Sequence, residues 1–142
     1  MQSALETELL FSLSLPARPE RLALVRSIIQ RAAELSGCSN ELAQNLVLAT
    51  NEACMNIIQH AYKGDSNGQF TVEMSRIGSS LRFRLEDHAA PIDLARVKPR
   101  ALDDIRPGGL GVHFIREIMD NCEIGHLADG CGNYLEMIKN IE

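Results

Sequence analysis

The chain has 142 residues, 45% of them hydrophobic and 23% charged, with few aromatics and no tryptophan. That length suits one domain with one aliphatic core of Leu, Ile, Val, Ala and Met. The formal net charge of −5 argues against direct nucleic-acid binding, which relies on clustered Lys and Arg. The first residues show no basic-then-apolar leader, and no apolar run approaches the roughly 18 residues of a membrane helix, so a cytoplasmic protein without membrane contact is expected.

In chain order, residues 9–15 alternate apolar and small polar at period two, a strand signal closed by Pro16 and Pro19. From 20 to 35, Leu22, Val25, Ile29, Ala32 and Ala33 fall at helical spacing, and Gly37 supplies a stop. Ser39 or Asn40 can cap a second helix over about 41–62, with Leu42, Leu46, Ala49, Ala53 and Ile57 as its core-facing stripe. Residues 63–68 read as a loop. Residues 69–77 and 81–87 are alternating runs around Gly78-Ser-Ser80, a hairpin pattern.

Residues 88–108 hold Pro91, Pro99 and Pro107 among several bases, and a connection this long inside a domain tends to be functional, such as a lid. Gly108-Gly-Leu-Gly111 opens a third helix to about 120, whose apolar face is Val112, Ile115, Ile118 and Met119. Residues 122–127 and 134–141 are two closing strands. The order β-α-α-β-β-lid-α-β-β does not interleave helices and strands one by one. It therefore predicts an α+β fold, a mostly antiparallel or mixed sheet with about three helices on one face. The four cysteines, Cys38, Cys54, Cys122 and Cys131, form no C-x-x-C pair and read as reduced thiols.

Three groups of residues carry chemical potential. Glu52, Asn56 and His60 are spaced i, i+4, i+8 and so share one face of a regular helix. An Asn oxygen suits a magnesium ion, and a Glu one turn away can orient a nucleophile or take its proton. The blander reading is a solvated helix face. Asp87 ends a strand, where a carboxylate can accept from an exocyclic amine such as adenine's, or simply initiate a turn. The Gly108–Gly111 run permits close backbone approach, and the helix after it offers unpaired N–H groups to phosphate; a hinge with a helix cap is the alternative. It is neither a Walker A loop nor the dinucleotide glycine pattern.

The order of these groups resembles the nucleotide-binding family shared by gyrase, the Hsp90 chaperones, histidine kinases and MutL (GHKL), with its Bergerat-type ATP site. Within it, the chain is similar to the compact anti-sigma-factor serine/threonine kinases, over roughly residues 11–141. The resemblance implies a two-layer α/β sandwich, residues 1–142 as one ATP-binding domain with a lid at about 88–108, and ATP with Mg2+ as cofactors. It implies Glu52 as general base, Asn56 as the magnesium ligand and Asp87 as the adenine reader. It places Gly109, Leu110 and Gly111 in the phosphate-embracing glycine box. His60-Ala-Tyr62 matches the helix-end signature, with no assigned role for His60. The family pattern after the Asp has Gly two residues on; here Ala89 adds a methyl beside the adenine plane.

The activity so implied is phosphoryl transfer from ATP to a serine or threonine of an anti-anti-sigma (STAS-type) partner, with a sigma factor as a second partner. Arg100 or Arg106 of the lid would neutralise γ-phosphate charge. A different reading is a regulatory module that sequesters a sigma factor without kinase activity, the nucleotide only tuning affinity. A phosphorelay fragment ranks below both, since no dimerisation helix with a phosphoacceptor His precedes the domain in this chain. A homodimer is expected, because residues 9–15 would lie at a sheet edge open to pairing.

Overall fold

The structure, a computed structural model, describes residues 6–63, 67–90, 115–128 and 130–142. β1 (Thr7–Pro16) leads through a short 3-10 turn to α1 (Leu22–Leu35) and α2 (Asn40–Asn56). β2 (Gln69–Ile77) and β3 (Ser80–Asp87) form the expected hairpin, and β4 (Asn121–His126) and β5 (Asn133–Asn140) close the chain. Of the third helix, residues 115–118 are helical and the preceding ones lie outside the described residues.

The five strands form one sheet in the order β1-β2-β3-β5-β4, and every ladder is antiparallel. β1 lies at an edge, as the sequence predicts. Its apolar run Leu9-Leu10-Phe11 breaks strict alternation, and the register shifts between Leu9 and Phe11. This bulge resets the strand so that Phe11, Leu13 and Leu15 oppose the core residues Met74, Val72 and Phe70, while Leu9 stays 57% exposed.

The helices cover one face of the sheet. Leu22, Val25, Ile29 and Ala33 of α1 and Leu46, Ala49 and Ala53 of α2 are fully buried with Val72, Met74, Phe83, Leu85 and Met137. Ile115 and Met119 join the same core. The predicted α2 stripe needs one correction: Ala43, not Leu42, is the fully buried residue of its first turn, and Leu42 packs on the rim. Ser39 is the N-cap, its hydroxyl accepting from the Leu42 N–H at 3.1 Å. The other sheet face is polar. Arg84 on β3 donates to Glu86 at 2.7 Å and Glu136 at 2.6 Å, and lies 4.2 Å over the Tyr134 ring. Arg76 fastens the far end, donating to the Ser36 carbonyl after α1 at 2.9 Å and to Glu142 at 3.0 Å.

No helix of the described residues is long and apolar enough to cross a membrane. All four cysteines are free thiols, and burial pushes the Cys54 pKa well above the ordinary thiol range.

Candidate functional site

Cross-strand register brings one set of chain ends together. Pro16 pairs with Gln69, Phe70 with Asp87, Asp87 with Asn133, and Asn133 with His126. The C-terminal end of α2 arrives at the same edge, because the loop after it feeds directly into Gln69.

Glu52 and Asn56 sit one turn apart on α2, both partly exposed, and neither has a hydrogen-bond partner among the described residues. Their neighbours Ala53 and Cys54 are buried, so the pair flanks the core-facing stripe. The third residue of the predicted line, His60, falls in the next turn, and its side chain lies outside what the structure describes. α-helical geometry ends at Asn56 and residues Ile57–Ala61 form a π-type turn, closed by the Tyr62 N–H donating to the Ile57 carbonyl at 3.0 Å.

Tyr62 ends this turn and does more than the sequence discloses. Its hydroxyl donates to the Gln69 carbonyl at 2.5 Å and accepts from the His88 N–H at 2.8 Å. The end of α2, the start of β2 and the residue after Asp87 are thereby joined through one oxygen. The ring lies against Gly68, where a Cβ would meet it at 2.5 Å. Burial raises the phenol's pKa, so it remains a donor at neutral pH.

Asp87 is 5% exposed at the end of β3. Its Oδ1 accepts the Ala89 N–H at 3.0 Å and an Asn133 side-chain N–H at 3.0 Å. Among the described residues no donor is aimed at Oδ2. Asn133, 4% exposed, also donates to the Ala90 carbonyl at 3.1 Å. Gly132 precedes it with φ +154°, and a Cβ there would stand 2.1 Å from the Asp87 carbonyl oxygen. Only a glycine lets β5 come this close to β3.

Ala89 is accommodated without left-handed backbone. Lys63 is the one non-glycine residue with positive φ among the described residues. The methyl is largely buried, and its N–H takes part in the Asp87 turn. Sequence reasoning misses Asn133 and Gly132; a Gly-Asn pair at the start of the last strand is the available signal. Gly109, Leu110, Gly111, Arg100 and Arg106 lie outside the described residues, as does the lid beyond residue 90.

A buried carboxylate with one oxygen held by its surroundings can read a donor on a flat ligand. A Glu and an Asn on the adjoining helix, without partners among the described residues, can meet a polar, charged group extending from it. The histidine kinase-like ATPase domain family matches residues 15–139. The serine-protein kinase RsbW of Listeria innocua is 32% identical over 121 residues, 80% of this chain and 77% of the relative. The serine-protein kinase RsbW of Bacillus subtilis is 26% identical over 79% of this chain and 75% of its own length. Among solved structures, the SiaB-SiaC complex from Pseudomonas aeruginosa contains a chain that superposes with a TM-score of 0.68 at 14% identity, covering 92% of this chain and 89% of that one.

Proposed function

Because this chain belongs to the histidine kinase-like ATPase domain family, and within it to the group of the RsbW serine-protein kinases, we propose that it is an ATP-dependent protein kinase of anti-sigma type, acting on a serine or threonine of a STAS-type partner. The observation that carries the reading is a held, buried Asp87 together with Glu52 and Asn56, which have no partner among the described residues, at one end of the sheet.

Asp87 accepts the exocyclic amine of adenine. Glu52 orients the incoming hydroxyl and takes its proton as the oxygen attacks the γ-phosphorus, while the bond to the β-phosphate oxygen breaks and ADP leaves. Asn56 is suited to hold magnesium, since its carboxamide oxygen is a hard donor with no competing partner among the described residues. The ion, when bound, neutralises phosphate charge. The backbone of Gly109, Leu110 and Gly111 holds the phosphates, with Arg100 or Arg106 near the γ-phosphate. The 142 residues act as one domain, with the lid at about 88–108. A sigma factor is the second partner.

We also infer a homodimer, supported by β1 as an open edge strand with Leu9 exposed; a strict monomer by light scattering at high concentration opposes it. The central test is incubation of the chain with labelled ATP, magnesium and a STAS-domain protein. Label on serine or threonine, lost with Glu52→Ala and with Asn56→Ala, is the expected result. Transfer at the wild-type rate by Glu52→Ala removes that residue from the reaction. No nucleotide binding at millimolar concentration ends the kinase reading.

A further inference from the structure

Asn133 stands at the first residue of β5, opposite both Asp87 and His126. Its carboxamide has two N–H hydrogens, and the two bonds from Nδ2, to Asp87 Oδ1 and to the Ala90 carbonyl, account for both. The orientation of the amide follows from its neighbours: turned over, its oxygen would face a carboxylate and a carbonyl, two acceptors. Asp87 Oδ1, bonded by Asn133 and by the Ala89 N–H, has both its lone pairs taken. Rotation of the carboxylate away from this position would leave two buried donors without an acceptor, so it is resisted. Gly132 sets the closeness of β5 that lets a side chain as short as Asn reach.

We propose that Asn133 is a specificity-determining positioning residue: it fixes which oxygen Asp87 offers to the base, and so makes the site select a purine bearing an amine over one bearing a carbonyl at the same place. The proposal rests on Asp87 being the base reader. A carboxylate free to turn would tolerate either base poorly. One held with Oδ2 outward is complementary to an amine donor and repels a carbonyl oxygen, so the gain from holding it falls on adenine alone.

The test is calorimetric titration of the whole chain with ADP and with inosine diphosphate, which carries a carbonyl in place of the amine. For Asn133→Ala the expected result is ADP affinity lower by about tenfold, the worth of one buried hydrogen bond, with inosine diphosphate affinity unchanged. The preference between the two bases shrinks by the same factor. Asn133→Asp keeps the size of the side chain and serves if the alanine variant does not fold. Two carboxylates then face each other and must share a proton, so ADP binding by this variant weakens as pH rises and the proton is lost. Equal losses for both nucleotides, or no loss for either, overturn the proposal, as does an Asn133→Asp variant that follows the wild-type pH profile. Asp87→Ala separates the two layers of the argument. If it lowers ADP affinity while Asn133→Ala does not, the positioning role alone fails. If it leaves ADP binding unchanged, the reading of Asp87 fails and the role of Asn133 with it.

Discussion

Asp87 is buried, and both the turn after it and the strand beside it donate to one of its oxygens. Glu52 and Asn56, on the helix whose end is tied to the same turn by Tyr62, are partly exposed and have no partner among the described residues. The two halves of the site are thus built to opposite rules. A group that recognises a rigid base gains from being held before the base arrives, because the ordering cost is met on folding. Groups that handle phosphate, metal and an incoming hydroxyl must stay available, and acquire their geometry from the ligands. The contrast predicts that damage to one half changes affinity and damage to the other changes rate.

The largest effect separates the halves outright. Glu52→Ala is expected to lower the rate of phosphoryl transfer by about 10²–10⁴-fold while ADP affinity stays near wild type. Asp87→Ala is expected to do the reverse in order of appearance, with ADP affinity falling about 10–100-fold because a charged acceptor is lost and two buried donors are stranded. Calorimetry beside a labelled-phosphate assay reads both. Comparable losses of affinity in the two variants would erase the distinction.

Gly132→Ala tests whether the held half depends on close strand approach. A methyl 2.1 Å from the Asp87 carbonyl must push β5 away from β3. We expect about 2–3 kcal/mol lower stability in a denaturant titration, together with weaker ADP binding. Full stability would mean that the strands separate at no cost and that the Asp87 corner is looser than its contacts imply.

Tyr62→Phe asks whether the halves are coupled. It keeps the ring against Gly68 and removes only the oxygen shared by Gln69 and His88. About 1 kcal/mol of stability should go, in the range of an ordinary hydrogen bond whose partners regain water, since His88 is exposed. If the join matters to the site, transfer rate and ADP affinity both drop modestly, unlike the one-sided effects of Glu52→Ala and Asp87→Ala.

Local pattern made the strands and helices legible: the β2–β3 hairpin, both long helices and the closing pair of strands follow from period and turn residues within one or two positions, except that α2 ends at Asn56 and not at about 62. The Glu52–Asn56 half of the candidate site was equally legible, being two residues on one helix. The rest was not local. The bulge that turns Leu9 outward depends on pairing with β2. The π-type turn over Ile57–Ala61 is invisible to a rule assuming constant pitch. Asn133 reaches Asp87 only because β5 inserts between β3 and β4, a pairing across 46 positions of sequence that no spacing rule contains.

Thr50 supplies the smallest effect and the sharpest check on which buried polar groups serve the site. It lies on α2, two residues before Glu52, fully buried, and its hydroxyl has no partner among the described residues. Asn133 is buried too, yet its carboxamide is bonded. If burial of polarity were a property of this core in general, the two would respond alike to an apolar replacement. An unpaired hydroxyl costs free energy in the folded state, whereas a methyl of the same shape does not. Thr50→Val should therefore raise stability by up to about 1 kcal/mol, read as a shift of the denaturation midpoint, with transfer rate and ADP affinity unchanged. Loss of ADP affinity in Thr50→Val would instead mean that its hydroxyl contributes to the nucleotide site, and the polar side of the held half would extend from the sheet edge onto α2.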